Sequence, residues 1–103
     1  MDIFEHVDYS NPKHIEAILY LQGNEISYEN DMSVISYDIT KAINDLREIG
    51  KLDDKDMHII DGIRHRITQE DLANELGMSQ PSINKRISKI SQKIVDFFNT
   101  KIN

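Results

Sequence analysis

The chain has 103 residues, of which 39% are hydrophobic and 29% charged, and this composition excludes a disordered chain. It contains no cysteine, so a disulfide framework and a thiolate zinc site are excluded as well. The net charge is −6, but residues 1–62 carry 14 acidic and 5 basic side chains, whereas residues 63–103 carry 7 basic and 4 acidic ones. This asymmetry indicates a nucleic-acid surface in the second part and another role for the first. Apolar runs are too short to span a bilayer, so we expect a cytoplasmic protein without membrane contact.

The first half of the chain predicts two helices. Asn11 and Pro12 supply the N-cap and the first residue of a helix that ends near Gln22. A longer helix starts at Asp31 and ends at Gly50, and an irregular lead-in and a loop precede the two helices. Three- and four-residue spacing gives each helix one apolar face. These faces consist of Ile15, Ile18 and Leu19, and of Ile35, Ile39, Ala42, Ile43, Leu46 and Ile49.

The second half predicts three more helices. Asp53 or Asp54 caps the third, Thr68 opens the fourth, which ends at Gly77, and Ser79 caps a long fifth helix. The apolar stripe of the third helix is Met57, Ile60, Ile63 and Ile67, and that of the fifth is Ile83, Ile87, Ile90, Ile94 and Phe97. Five helices without a strand pair predict an all-α fold, with a C-terminal helix-turn-helix and a long last helix.

The stretch of residues 67–90 has the features of a helix-turn-helix; its sequence is ITQEDLANELGMSQPSINKRISKI. Two helices that cross at a steep angle need a small residue at their closest approach, and Ala73 stands there. Gly77 lies in the turn, where a positive φ is required, and Met78 fills the angle between the helices. Each requirement of the motif is met by a residue of suitable size and polarity.

A polar face on the last helix follows if Ile83 and Ile87 point inward. Its Gln and Asn amides suit adenine in the major groove, and its basic side chains suit phosphates or guanine. Hydroxyl groups and free N–H groups at the helix starts suit backbone phosphates. No acidic residue occurs from residue 76 to 95. We therefore predict contact with duplex DNA, and the predicted contact residues are Thr68, Ser79, Gln80, Pro81, Ser82, Asn84, Lys85, Arg86, Ser88 and Lys89.

A resemblance to a known family extends over residues 52–94, and the sequence of this stretch is LDDKDMHIIDGIRHRITQEDLANELGMSQPSINKRISKISQKI. It resembles region 4 of the bacterial sigma-70 family, including the entry helix, the helix-turn-helix and a basic continuation at Lys89 and Lys93. In that family the unit reads the −35 promoter element and contacts RNA polymerase. The resemblance implies a promoter or operator as the DNA partner, RNA polymerase as a second partner, and a DNA-facing set of Gln80, Pro81, Ser82, Asn84, Lys85 and Ser88.

The chain is too short for the sigma region that melts promoter DNA, and residues 1–51 show no such resemblance. We therefore expect a small sigma-like transcription regulator of the kind that phages and prophages carry. Its predicted organisation is an acidic helical region over residues 1–51, for interaction or dimerisation, followed by the DNA-binding region over residues 52–103.

The sequence also leaves an alternative to DNA binding open. A protein-interaction module is the alternative, for instance a phage-encoded inhibitor whose acidic N-terminal half mimics nucleic acid. No nucleophile–base pair or phosphate loop occurs, so we expect no enzyme, and the four histidines lack metal-site spacing, so we expect no metal or other cofactor. A homodimer is a further prediction, through residues 31–49 or through the apolar side chains Val95, Phe97, Phe98 and Ile102 of the last helix.

Overall fold

The fold consists of helices throughout the part of the chain that the structure describes. The computed structural model describes residues 10–22 and 31–102, with side chains over 10–20 and 37–100, and contains no strand in these ranges. The helices are α1 (Pro12–Gln22), α2 (Asp31–Glu48), α3 (Asp54–Arg64), α4 (Gln69–Leu76) and α5 (Gln80–Ile102). The predicted all-α architecture is confirmed. The predicted loop after α1, residues 1–9 and the side chains of Ile35 and Ile102 lie outside the described part.

One hydrophobic core joins all five helices. Helices α1, α2, α3 and α4 each contact α5, so the first two helices share their core with the last three. The apolar face predicted for α1 is confirmed as buried, as are most of the face of α2 and the face of α5 apart from Phe97. None of the described helices is both long and apolar enough to cross a bilayer. Helix α5 is thus the element around which the others pack.

Five positions differ from the predicted stripes. Ile49 is 65% exposed, because α2 ends at Glu48 and Ile49 already belongs to the turn that follows. Ile59 is fully buried although it was not predicted, since α3 packs between α1 and the last two helices and buries a wider face. Met57, Ile67 and Phe97, which were predicted to lie in buried stripes, are only partly covered at the edge of the core.

Three helices end in the same hydrogen-bonded arrangement, in which a residue just past the helix has a positive φ and the N–H of the next residue donates to the carbonyl five residues before it. These residues are Gly50 after α2, Gly77 after α4 and Arg66 after α3, with φ values of 82°, 64° and 61°. In α3 the N–H of Ile67 donates to the carbonyl of Gly62 at 2.9 Å. Arg66 is the unusual member, because a side chain at positive φ is strained.

Helix α4 packs closely on α3 at Gly62. A Cβ atom added there would lie 2.5 Å from Cδ2 of Leu72, which is fully buried. The absence of a side chain at this position therefore sets the distance between the first helix of the predicted DNA-binding unit and the helix below it.

The C-terminal part of α5 buries more apolar surface than the sequence suggested. Val95 is 2% exposed, and Phe97 and Phe98 pack partly against the core with their rings edge to face and their centroids 5.8 Å apart. Val95, which was predicted to be available for a dimer contact, is instead buried within the chain, because α5 packs on α1 and α2. This end of α5 therefore offers less apolar surface for a dimer than the sequence predicts.

Candidate nucleic-acid interface

The orientation of α5 decides which side chains reach solvent. Ile83 and Ile87 are both 0% exposed and point into the core, as the sequence predicts. All the predicted contact residues of the first half of α5 except Arg86 are exposed: Gln80, Pro81, Ser82, Asn84, Lys85, Ser88 and Lys89. The N-terminal half of α5 therefore presents a polar and basic face to solvent.

The turn before α5 has the predicted helix-turn-helix geometry. Gly77 adopts a left-handed conformation, with φ 64° and ψ 36°, and the N–H of Met78 donates to the carbonyl of Ala73 at 2.9 Å. Ala73 is buried where α4 meets the core, and Met78 packs partly against the same cluster. The turn between α4 and α5 is thus only three residues long.

The two predicted cap residues occupy the helix starts. The hydroxyl oxygen of Thr68 accepts a hydrogen bond from the N–H of Asp71 at 3.1 Å, and that of Ser79 accepts one from the N–H of Ser82 at 3.2 Å. The Ser79 hydroxyl also donates to the Ser82 hydroxyl at 2.8 Å. Thr68 and Ser79 thus have a structural role, and both are exposed at the edge of the polar face.

A group of side-chain amides gathers where α4 and α5 begin. Gln80 and Asn84 line a shallow cavity of about 390 Å³ together with Pro81 and with Gln69 from the first turn of α4. The Nε2 amide of Gln69 donates to the hydroxyl of Tyr20 in α1 at 2.8 Å, which fixes the orientation of the Gln69 side chain. Sequence reasoning did not select Gln69, since only the fold brings the starts of the two helices together.

Arg86 departs from the predicted set of contacts. Its Nη1 lies 2.8 Å from Oδ1 of Asp56 and 3.2 Å from both carboxylate oxygens of Asp53. The guanidinium therefore faces the start of α3 rather than the solvent in front of α5. In the unbound protein Arg86 holds α5 to α3, and its role is distinct from that of Lys85 and Lys89, which have no carboxylate partner among the described residues.

The two carboxylates that bind Arg86 also form the N-terminal cap of α3. The Asp53 side chain accepts from the N–H of Asp56, and the Asp56 side chain accepts from the N–H of Asp53, which is a capping box. The hydrogen bond from the Asp56 N–H lowers the pKa of Asp53 most, against an opposing effect of desolvation and with further help from Arg86. Hydrogen bonds to Asp56 and then to Asp53 raise the pKa of Arg86.

The acidic cluster at the start of α3, which consists of Asp53, Asp54 and Asp56, is paired with arginines of other helices. The side chain of Asp56 is only 6% exposed, Asp53 binds Arg86, and Asp54 forms an ion pair with Arg47 at the end of α2. These three carboxylates hold helices together. Their charges are paired with Arg47 and Arg86, and the side chains of Asp53 and Asp54 stay 60% and 90% exposed.

Comparison with known proteins bears on the same segment. Residues 52–90 match the model of a protein family described as winged helix-turn-helix DNA-binding. The matched segment begins just before α3 and ends within α5, and in this structure it consists of helices and turns. No curated protein and no solved structure gives a significant match to the chain. The family match and the geometry both support a DNA-binding helix-turn-helix in this part of the chain.

Proposed function

We propose that the protein is a sequence-specific DNA-binding transcription regulator that inserts the N-terminal half of α5 into the major groove. The observation that carries this function is the complete burial of Ile83 and Ile87, which turns the polar face outward. The match of residues 52–90 to a DNA-binding family supports the same surface. Catalysis and a cofactor play no part in this function.

Within this surface the side chains divide by chemistry. The amides of Gln80 and Asn84 are placed to read base edges, because an amide offers a donor and an acceptor together. Lys85, Ser88 and Lys89, with the capping residues Thr68 and Ser79, are placed for phosphate contacts, which position the protein without reading sequence. The remaining exposed members of the predicted set are Pro81 and Ser82.

The direct test is selection of duplexes from a random library on the immobilised full chain. The enriched duplex and a scrambled version are then compared by fluorescence anisotropy at 50 and 200 mM salt. We expect the enriched duplex to bind at least about 10³-fold more tightly, as specific DNA-binding proteins do. Failure to enrich any sequence, together with no binding at low salt, contradicts the proposed function.

Two variants separate base reading from phosphate binding. Asn84→Ala should relax the preference at one base position by about 1–3 kcal/mol. Lys89→Ala should weaken binding to enriched and scrambled duplexes equally and reduce the salt slope by about 0.9. Asn99→Ala is the matched control, because Asn99 is an exposed residue near the other end of the same helix. If the Asn84→Ala and Asn99→Ala variants lose equal amounts of base preference, base reading by Asn84 is contradicted.

RNA polymerase is the second proposed partner, supported by the resemblance of residues 52–94 to sigma region 4 and fitting a sigma-like regulator of phage or prophage origin. Capture of purified bacterial RNA polymerase by the immobilised protein tests this contact. Lys85→Glu/Lys89→Glu should abolish duplex binding but leave capture intact if a different surface binds the enzyme. No capture at micromolar concentrations contradicts the polymerase contact and leaves DNA binding untouched.

A homodimer is the remaining proposed assembly. Its support lies on α2 and the turn after it, where Tyr37 and Ile49 are exposed by 66% and 65% respectively. Two-fold dimers of helix-turn-helix units bind half-sites one helical turn apart, so a dimer predicts a palindromic enriched sequence. The dimer is contradicted if the protein sediments as a monomer at high concentration and the enriched DNA sequence is not palindromic.

The protein-interaction alternative is supported by the excess of acidic residues in residues 1–62. It predicts the opposite outcome of the duplex experiment, in which no DNA sequence is enriched. It also predicts that Lys85→Glu does not alter binding to the protein partner. Neutralising Asp53 and Asp56 does not test it, because these residues cap α3 and bind Arg86, and their loss destabilises the fold.

A further inference from the structure

A second basic surface lies beside the polar face of α5. An open cleft of about 530 Å³ separates the side of α5 from the turn that joins α2 to α3. Its lining consists of five cationic and two acidic side chains, with Gly50, Met78 and Ser82 completing the wall. The charged residues of the lining are Lys51, Lys85, Arg86, Lys89, Lys93, Asp53 and Asp56.

The acidic residues of this cleft are already neutralised by two of its cations. Asp53 and Asp56 bind Arg86, and Nζ of Lys93 lies 4.0 Å from Asp56. This pairing leaves the three other lysines, Lys51, Lys85 and Lys89, and none of these has a carboxylate partner among the described residues. Three uncompensated positive charges around one concave surface attract an anionic partner.

The turn between α2 and α3 is held in place against α5. Nζ of Lys93 donates to the carbonyl oxygen of Lys51 at 2.8 Å, and Arg86 holds the neighbouring Asp53. The backbone of Lys51 is therefore fixed between two attachments to the helix. This places an exposed lysine from another part of the chain opposite Lys85 and Lys89, which are one helical turn apart.

We propose that this cleft binds backbone phosphates of the DNA strand that borders the groove occupied by α5, and that Lys51 contacts one of them. This inference rests on the DNA-binding function proposed above and extends its surface beyond the helix-turn-helix. Ser82 and Lys85 belong both to the polar face and to the wall of the cleft, so a strand in contact with them continues over it. A lysine ammonium is a compact charge that binds phosphate at any base sequence.

The experiment compares the salt dependence of duplex binding for the full chain and its Lys51→Ala variant. Loss of one phosphate contact should reduce the slope of log K against log salt by about 0.9. The loss should be equal on the enriched and the scrambled duplex, so that sequence preference is unchanged. Lys51→Arg should retain the wild-type slope, and Lys55→Ala is the matched control, because Lys55 is an exposed lysine outside the cleft.

The outcomes separate this inference from the function on which it rests. If Asn84→Ala alters specificity but Lys51→Ala keeps the full salt slope, DNA binding stands and the phosphate role of Lys51 is overturned. If the wild-type chain binds no duplex, the DNA-binding function itself fails, and this inference fails with it. Thermal unfolding in inorganic triphosphate without DNA supplies a further arm. The contrary outcome of that arm is that triphosphate raises the Tm of the wild-type chain but not that of Lys51→Ala, while Lys51→Ala leaves the salt slope of duplex binding unchanged. This combination would assign the cleft to a small soluble phosphate compound and overturn the proposal.

Discussion

Replacement of Arg86 by alanine should destabilise the fold more than it weakens DNA binding. The side chain makes one hydrogen bond of 2.8 Å to the buried carboxylate of Asp56 and two of 3.2 Å to the exposed carboxylate of Asp53. The exposed pair contributes at most about 1 kcal/mol. Breaking a buried pair costs about 3–5 kcal/mol, but Lys93 at 4.0 Å retains part of the interaction with Asp56. We expect a loss of about 3 kcal/mol in the free energy of unfolding.

The assay is urea unfolding followed by far-ultraviolet circular dichroism, with duplex affinity measured where each variant is folded. In a separate thermal unfolding scan, the loss should lower Tm by about 12–24 °C for a domain of this size. Lys85→Ala is the matched control, because Lys85 is exposed one residue earlier on the same helix. It should leave the free energy of unfolding within about 0.5 kcal/mol of the wild-type value and reduce the salt slope of duplex binding.

A double-mutant cycle with Asp56→Asn isolates the pair. Once the carboxylate is removed, Arg86→Ala should cost much less, giving a coupling energy of about 2 kcal/mol between Arg86 and Asp56. An Arg86→Ala variant of unchanged stability whose duplex affinity falls more than tenfold would contradict this structural role of Arg86. That result would mean that Arg86 leaves Asp56 and contacts DNA in the working complex.

Three further outcomes are expected from the helix ends and the α3–α4 contact. Arg66→Gly should be about 1 kcal/mol more stable than Arg66→Ala in urea unfolding, because only glycine relieves the strain at positive φ; equal stabilities contradict this. Gly62→Ala should lower the free energy of unfolding by about 1 kcal/mol, since overpacking against buried Leu72 exceeds the gain in helix propensity, and a more stable variant contradicts the tight contact. Folding lowers the pKa of Asp53, so its ionised carboxylate stabilises the fold at pH values above the unfolded pKa of 3.8. This contribution is lost as the pH falls through the folded pKa. Asp53→Asn should therefore weaken the pH dependence of unfolding below about pH 4, and an unchanged pH profile opposes that assignment.

Features that depend on neighbours in sequence were predictable from the chain alone. The burial of Ile83 and Ile87 follows from a four-residue spacing, and the caps at Thr68 and Ser79 follow from residues within one turn. The positive φ of Gly77 belongs to the same class, since a tight turn between two helices requires it. Local periodicity and capping chemistry thus suffice to orient the candidate DNA-binding helix.

Features that depend on distant residues were not predictable in the same way. Arg86 has the chemistry of a DNA contact, but its partners Asp53 and Asp56 are 33 and 30 residues away in the chain. Lys51 lies outside the helix-turn-helix, and only the packing of the α2–α3 turn on α5 brings it to the cleft. Ile49 continues the apolar spacing of α2, and spacing alone does not reveal that the helix has already ended.

The central position of α5 has a consequence for the motions open to the protein. The helix that carries the polar face also supplies Ile83, Ile87, Ile90 and Ile94 to the common core, and the four other helices contact it. Its backbone amide protons over this stretch should therefore exchange with solvent only when the whole domain unfolds. A regulatory partner has little scope to reshape this helix, so it must act by covering the surface or by changing how much folded protein is present.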